Sequence, residues 1–518
     1  MSGRGSPAGS PRFQMREVGM RRIAAILLAL ALLLSAGAEA VPANWYEVFV
    51  RSYQDSDGDG LGDLNGLRAR LDYIEDMGWR GLWLMPVMPS PSYHKYDVTD
   101  YYGVDPEYGT LEDLRALIGA CHARDILVIL DMPINHTSVG HPWFQAACAA
   151  IREGRFEDPM VGYYRFQAAP GRGFTPLENT GWYYEEQFAG GGMPDLNLEN
   201  PAVLEEIRRI FDFWLNDVGA DGFRLDAVTS YFTGDAERNI ALLRSLKQKV
   251  EACRPGSLLV GECWAGLSVI AEYYRSGVDS FFLFPAAQAE GFVAASLRGR
   301  GARGEKFAAA YQAVLDAIPE GLLSPFLCNH DTGRTVGLVQ GRGNPDAAKF
   351  AEGVLGMLNG MVFTYYGEEI GMVGSGDDPN KRLAMYWSDG DMTRQPPGVT
   401  GLEYAYPSVE AQRADESSLL HYVRAVNRAR LEHPAISAGQ NEFLLAEGNA
   451  VVMRRDDGTE RCRIAVNFSS KTACELPMAP LPIAVDLETG EERAEFLESG
   501  GESRLRVPPF GIVILTEP

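Results

Sequence analysis

Positive charge is scarce in this sequence. Lys and Arg number 47 against 70 Asp and Glu, a net charge of −23, and so negative a mean field repels phosphate backbones and anionic lipid headgroups. No nucleic-acid partner is expected; neutral and cationic ligands remain open. Cysteine is scarce too. There are seven, with no CxxC pair and no metal-ligand spacing, so no thiolate metal site is written into the chain, and the odd count leaves at least one thiol unpaired within it. The 56 Gly and 30 Pro follow no repeat, which excludes a collagen-like chain and wholesale disorder. What is present is ordinary for a globular protein: 46% hydrophobic and 23% charged residues in 518, enough for about three domains or for one large barrel with additions.

Long apolar stretches are absent except near the N-terminus, where Ile23 to Leu34 run unbroken behind Arg16, Arg21 and Arg22 and ahead of Ala38-Glu39-Ala40. A positive flank, a short apolar run and a small-x-small site read as an export signal over residues 1–40. Crossing a bilayer takes about 20 apolar residues. An uncleaved anchor extended through Ser35 to Ala38 is the alternative reading, and no Cys follows the run to take a lipid. The expected destination is secreted or periplasmic, with no stable membrane association after cleavage and a fold held by its core rather than by disulfides.

Beyond Ala40 short apolar runs alternate with amphipathic stretches, the pattern of βα units on a parallel sheet. Eight candidate strands are Tyr46–Tyr53, Gly81–Val87, Ile126–Pro133, Gly222–Val228, Leu258–Cys263, Ser280–Phe284, Pro325–Cys328 and Val362–Tyr366, the number that a closed (β/α)8 TIM barrel requires. Helical periodicity puts Leu114, Leu117, Ile118 and Cys121 on one face, and likewise Val203, Ile207, Ile210, Phe211 and Trp214. The barrel is expected over 41–136 and 201–434. Between them residues 137–200, rich in Gly, Pro and aromatics, are too long for a plain loop. After Pro434 alternating stretches such as Ala450–Arg454 and Arg463–Phe468 predict a small antiparallel β domain over 435–518.

In a parallel barrel the C-terminal strand ends share one mouth. Here those ends carry polar residues directly after apolar runs: Asp131, Asn135 and His136 on the third, Arg224 and Asp226 on the fourth, Glu262 on the fifth, and Asn329, His330 and Asp331 on the seventh. Carboxylates brought together raise one another's pKa, which separates their roles. Arg224 and Asp226 lie two apart and share a strand face, so the Arg can hold Asp226 ionised as a nucleophile. Glu262, beside Gly261, Cys263 and Trp264 in a less cationic setting, can be raised enough to donate a proton. That is the division of labour of a retaining glycosidase. A structural ion pair explains any one motif alone, but four in barrel order point to chemistry.

The motifs Asp131-Met-Pro-Ile-Asn-His136, Gly222-Phe-Arg-Leu-Asp226, Gly261-Glu-Cys-Trp264 and Asn329-His-Asp331, with Tyr93-His-Lys-Tyr-Asp-Val-Thr-Asp-Tyr101, resemble the α-amylase family, glycoside hydrolase family 13, from Trp45 to the C-terminus. The resemblance implies Asp226 as nucleophile, Glu262 as acid/base and Asp331 as the third carboxylate, which binds and distorts the sugar. It further implies that Arg224, His136 and His330 contact that sugar and that Tyr96 stacks on it. The long insertion becomes the family's domain B and the tail its domain C. Met193-Pro-Asp-Leu-Asn197 resembles a group intermediate between oligo-1,6-glucosidases and neopullulanases, which implies α-1,4 cleavage in starch and maltooligosaccharides, sometimes with transglycosylation. Ala227 stands where α-1,6-specific relatives carry Val, which fits α-1,4 cleavage. Ala227-Val-Thr-Ser230 departs from the Lys and His that many α-amylases carry after the nucleophile, and with them goes the warrant for strict endo action.

Asp55-Ser-Asp-Gly-Asp-Gly-Leu-Gly-Asp63 follows the first part of a calcium loop, with Gly60 at the sixth place and oxygen ligands expected from Asp55, Asp57, Asp59, Asp63 and the Leu61 carbonyl. The twelfth position is Gly66, so the bidentate Glu of an EF-hand is missing; an acidic turn without metal is the alternative. Relatives that bind Ca2+ at a similar loop favour the ion. Asn135 matches a second calcium position in the family, but no partners can be named from sequence. Trp182, Tyr183 and Tyr184 form either a sugar-stacking platform or packing within the insertion.

The sequence therefore predicts a secreted, Ca2+-containing, retaining α-glucan hydrolase. Its rivals are an α-glucosidase or transglycosylase on short maltooligosaccharides, and a membrane-anchored non-catalytic relative, which the retained carboxylates disfavour. Oligomeric state is not legible.

Overall fold

The computed structural model of the chain describes residues 41–518; the expected export signal lies outside them. Among the described residues no helix is long and apolar enough to cross a membrane.

The apolar runs form eight parallel strands. They are β1 (Asn44–Val48), β2 (Gly81–Leu84), β3 (Leu127–Met132), β4 (Gly222–Leu225), β5 (Leu258–Gly261), β6 (Ser280–Phe282), β7 (Leu322–Ser324) and β8 (Val362–Tyr365). They pair in the order β7-β6-β5-β4-β3-β2-β1-β8. The ring is completed by Met361 N donating to Leu323 O at 2.8 Å and Phe363 N to Pro325 O at 2.9 Å. This is the expected (β/α)8 barrel. Its interior is filled by aromatic side chains: Trp83 stacks on Phe282 at 4.9 Å, and Phe282 meets Phe363 edge-on at 5.0 Å. Gly81 is required there, because a Cβ on it would fall 2.1 Å from the Trp45 ring.

The strands end earlier than the apolar runs predict, and the seventh is displaced. Pro325–Cys328 is not a strand; β7 precedes it, and only Phe326 makes a single bridge, to Phe363. Pro325 has no N–H for the ladder, so the chain leaves β6 after Ser324 and carries Leu327 to Asp331 into the mouth. The fourth strand likewise stops at Leu225, because Ala227 adopts a φ of 46° that no strand continues.

The helices form as their periodicity predicts. Leu111–His122 buries Leu114, Leu117, Ile118 and Cys121 behind a capping box of Thr110 and Asp113. Pro201–Asp212 buries Val203, Ile207, Ile210 and Phe211, and Trp214 is buried in the π-helical turn that follows. The insertion after β3 holds a helix, Pro142–Arg152, and a three-stranded antiparallel sheet built on Trp182–Glu185. Its returning chain is fastened beside β3 by Leu196 N donating to Asn135 O at 2.9 Å and Thr137 N to Pro194 O at 3.1 Å. Tyr184 is buried against Phe144 inside the insertion and Trp182 stands against Phe156, so these two pack there.

After the helix Leu419–Glu432 the chain builds antiparallel sheets of five and three strands. Two wholly buried guanidinium groups fasten the chain here to the barrel, Arg430 from the helix Leu419–Glu432 and Arg455 from the five-stranded sheet. Arg430 donates to Gly356 O, Leu358 O, Gly360 O and Asn44 Oδ1, and Arg455 to Met357 O, the Tyr311 hydroxyl and Asn359.

Candidate active site

The C-terminal strand ends meet at a cavity of about 320 Å3 whose lining includes Tyr96, His136, Asp226, Glu262 and Asp331. All three expected catalytic carboxylates open into it. Arg224 and His330 do not line it; both lie behind the lining, wholly buried.

Arg224 explains the layout. Its Nη1 donates to Asp226 Oδ1 at 2.7 Å and to Asp131 Oδ1 at 2.7 Å, while Nη2 lies 2.9 Å from Glu262 Oε2 in an ion pair. Its guanidinium also sits 5.4 Å from the Trp83 ring centroid, over its face. With three carboxylates around it, the guanidinium is occupied from inside the barrel and works through Asp226 and Glu262. The expectation that Glu262 stands away from cationic charge is thus overturned: the fork of one Arg spans both carboxylates.

Glu262 is nevertheless raised to about 7. Burial dominates, Arg224 opposes it, and the neighbouring Asp226 and Asp331 push the same way as burial. Its Oε2 accepts the backbone N–H of Ala227 at 2.9 Å, a contact set by the left-handed turn directly after Asp226. Asp131, wholly buried, is raised to about 6, again by burial against the pull of Arg224.

Asp331 belongs to a second network. Its Oδ2 lies 3.0 Å from His330 Nε2 and its Oδ1 accepts from Arg382 Nη2 at 2.7 Å. Burial alone would raise this carboxyl; His330 and Arg382 outweigh it and hold it well below the usual carboxylate range. Burial alone would strip the proton from His330, but Asp331 and Glu47, whose Oε1 is 2.5 Å from Nδ1, push it up to about 10. Tyr96 joins the two networks. Its hydroxyl donates to Asp131 Oδ2 at 2.9 Å and lies 2.6 Å from His330 Nε2, with the two rings stacked. His136, lowered by burial, has no partner for Nε2 and packs edge-on to Phe188.

Several site residues escape assignment from sequence. Asp131 stands at a strand end, which alone gives it no role. Glu47 has a signal, a lone charge inside the apolar run of β1. Arg382, Asp378 and Phe188 also line the cavity, from segments whose local patterns say nothing about where they converge, as do His94 and Met193, whose motifs gave them no role of their own. Asn135 finds its partner in the insertion, donating to Asp195 Oδ1 at 3.2 Å.

At the acidic loop, Asp55, Asp57 and Asp63 bring carboxylate oxygens within 4.8 Å of one another, the one such group among the described residues; Asp59 stands outside it. Leu61 N donates to Asp59 Oδ1 at 2.6 Å. The gathered donors are all hard oxygens, which fits a Ca2+-type ion. Desolvation would raise Asp55, but the N–H groups of Gly58, Gly60 and Asp57 together outweigh it and keep the carboxyl below its ordinary value.

Comparison with known proteins places this geometry. The family profile described as Alpha amylase, catalytic domain matches residues 47–439. Alpha-amylase 3 of Dictyoglomus thermophilum is 36% identical over 423 residues, covering 79% of this chain and 81% of that protein. A 4-alpha-glucanotransferase of Thermotoga maritima is 29% identical, covering 82% and 96%. Among solved structures, Eubacterium rectale Amy13B superposes with a TM-score of 0.87 at 38% identity, covering 92% of this chain and 95% of that one.

Proposed function

Because this chain belongs to the α-amylase family of glycoside hydrolases, we propose that it is a retaining α-glucan hydrolase cleaving α-1,4 bonds in starch and maltooligosaccharides. One observation carries the reading: a buried carboxyl raised to about 7 and a carboxylate bonded to Arg224 open into the same cavity. Asp226 attacks the anomeric carbon while Glu262 gives its proton to the leaving oxygen, which yields a covalent glycosyl–Asp226 ester. Glu262, now ionised, takes a proton from water, the hydroxyl oxygen bonds to the anomeric carbon, and Asp226 leaves with the α configuration kept.

Asp331, anchored by Arg382 and charged His330, presents a fixed anion to the sugar at the stage where its ring gains positive character. Tyr96 offers its ring face, and His136 Nε2 is the polar atom awaiting a sugar hydroxyl. Calcium belongs to this proposal as a structural ion. Asp55, Asp57 and Asp63 would hold it, and it would stiffen the loop after β1 without entering the chemistry. Export through the N-terminal signal belongs to it too, and N-terminal sequencing of the mature protein tests that point.

The experiment for the reaction is the first product's anomeric configuration by NMR on maltoheptaose, together with the product profile over time. Initial release of the α anomer is expected, and internal cuts would mark an amylase; an initial β anomer would overturn retention. Successive glucose release or products longer than the substrate would instead support the glucosidase or transfer reading, to which the similarity to a 4-alpha-glucanotransferase lends weight.

A further inference from the structure

Residues 187–193 of the insertion run past the catalytic cavity, and Phe188 and Met193 both line it. Phe188 packs edge-on against His136 with the ring centroids 5.5 Å apart, which puts it beside the place assigned above to a sugar hydroxyl. Between Phe188 and Met193 the chain reads Ala189-Gly190-Gly191-Gly192. Three glycines in a row have no side chains to pack, and they lose more backbone freedom on ordering than any other residues. Gly190 and Gly192 adopt φ of 81° and 70°, so the turn needs glycine and gains no rigidity from it. Whatever fixes Phe188 has to grip the backbone.

Glu186 supplies that grip. It follows the strand Trp182–Glu185 directly and is 1% exposed. Its Oε1 accepts the N–H of Gly192 at 2.8 Å and that of Met193 at 3.0 Å. Its Oε2 accepts the N–H of Gly190 at 3.3 Å and the hydroxyl of Thr175. Each of these partners is a neutral dipole, and between them they occupy both oxygens of a carboxylate that burial alone would destabilise. Three of the four are backbone groups of the glycine loop and its end. Glu186 itself does not line the cavity, so it reaches a substrate only through the loop it holds.

We propose that Glu186 is a positioning residue, whose buried carboxylate ties down the triglycine loop so that Phe188 stands as a fixed wall against the sugar held beside His136. The proposal rests on the glycosidase reading above. A wall that touches the sugar alike before and during bond breaking adds to binding and not to the rate of the chemical step. Loss of the tie should therefore appear in KM far more than in kcat.

The test compares Glu186→Ala, which removes all four contacts, with Glu186→Gln, which keeps one accepting oxygen but turns an NH2 toward donors on the other side. With maltotetraose as substrate, KM should rise about three- to ten-fold in Glu186→Ala and less in Glu186→Gln, while kcat changes by less than about two-fold. Phe188→Ala should raise KM by a similar factor, and the double variant no further, because one residue acts through the other. KM does not depend on the fraction of enzyme folded. A second readout needs no substrate: chymotrypsin cleavage after Phe188, located by mass spectrometry, should be about ten-fold faster in Glu186→Ala than in the unmodified enzyme. An unchanged KM, a fall in kcat as large as that in kcat/KM, effects that multiply in the double variant, or unchanged cleavage after Phe188 would each overturn the proposal. An unmodified enzyme that leaves maltotetraose uncut would overturn the glycosidase reading instead, and the cleavage rates would still decide whether Glu186 holds the loop.

Discussion

Replacing Glu262 by Gln should remove activity and, at neutral to alkaline pH, increase stability. The carboxyl is 5% exposed and is raised from its ordinary 4.5 to about 7. Because the folded-state value lies above the unfolded one, the folded protein holds this proton more tightly. Its contribution is fully present below pH 4.5 and is lost as pH rises to about 7. Above that point the folded state carries an ionised carboxylate that the unfolded chain would solvate better. At about 1.36 kcal/mol per pH unit of displacement, the penalty is on the order of 3 kcal/mol. Gln keeps an oxygen for the Ala227 N–H and never ionises, so it escapes most of this penalty, although Arg224 loses one of its three anions. Urea unfolding of both proteins between pH 4.5 and 8.5 should give similar stabilities at the acid end. At the alkaline end the Glu262→Gln variant should be ahead by about 2–3 kcal/mol. Turnover on maltoheptaose should fall by about 10²–10⁴-fold. In the unmodified enzyme it should decline above about pH 7, as the acid loses its proton. Near-normal activity of Glu262→Gln would refute the role, and a stability difference that does not change with pH would refute the electrostatic argument.

Other perturbations test the surrounding charges and the acidic loop. Arg224→Met strands three carboxylates with no cation between them and should cost about 3–5 kcal/mol by urea unfolding; a loss under about 1 kcal/mol would show that the network relaxes freely. Glu47→Gln leaves His330 with Asp331 alone, so its titration, followed by imidazole NMR, should move below the present value of about 10. Because that value is raised above the ordinary 6.5, the stability His330 contributes is whole below pH 6.5 and fades as pH climbs through about 10; an unmoved titration would show that Glu47 does not set it. If Ca2+ occupies the Asp55, Asp57 and Asp63 loop, chelation should lower Tm and added CaCl2 restore it, by about 2.7 kcal/mol at a hundredfold excess over Kd. Asp57→Asn should blunt that response, and identical Tm values with chelator and with calcium would remove the ion from the account.

How much of this can be read from the chain depends on what local sequence encodes. Barrel strands are buried on both faces, so their apolar runs locate all eight to within a few residues, and the motif order puts Asp226, Glu262 and Asp331 at one mouth. The runs overshoot the strand ends because burial continues past the last ladder bond: Asp226, Glu262, Leu327 and His330 are all buried although none belongs to a strand. The seventh strand shows the converse, since Pro325 ends pairing inside a run that hydrophobicity alone treats as continuous. What stays hidden is reach across the barrel. Spacing pairs Arg224 with Asp226 because they share a strand face, but nothing local says that the same fork extends to Asp131 on β3 and Glu262 beyond β5, or that Arg382, from the loop after β8, would grip Asp331. Local sequence therefore predicts a Glu262 raised for want of a nearby cation. It is raised with one 2.9 Å away. Burial, helped by Asp226 and Asp331, outweighs a single guanidinium divided among three carboxylates, so the acid keeps its proton with a cation beside it.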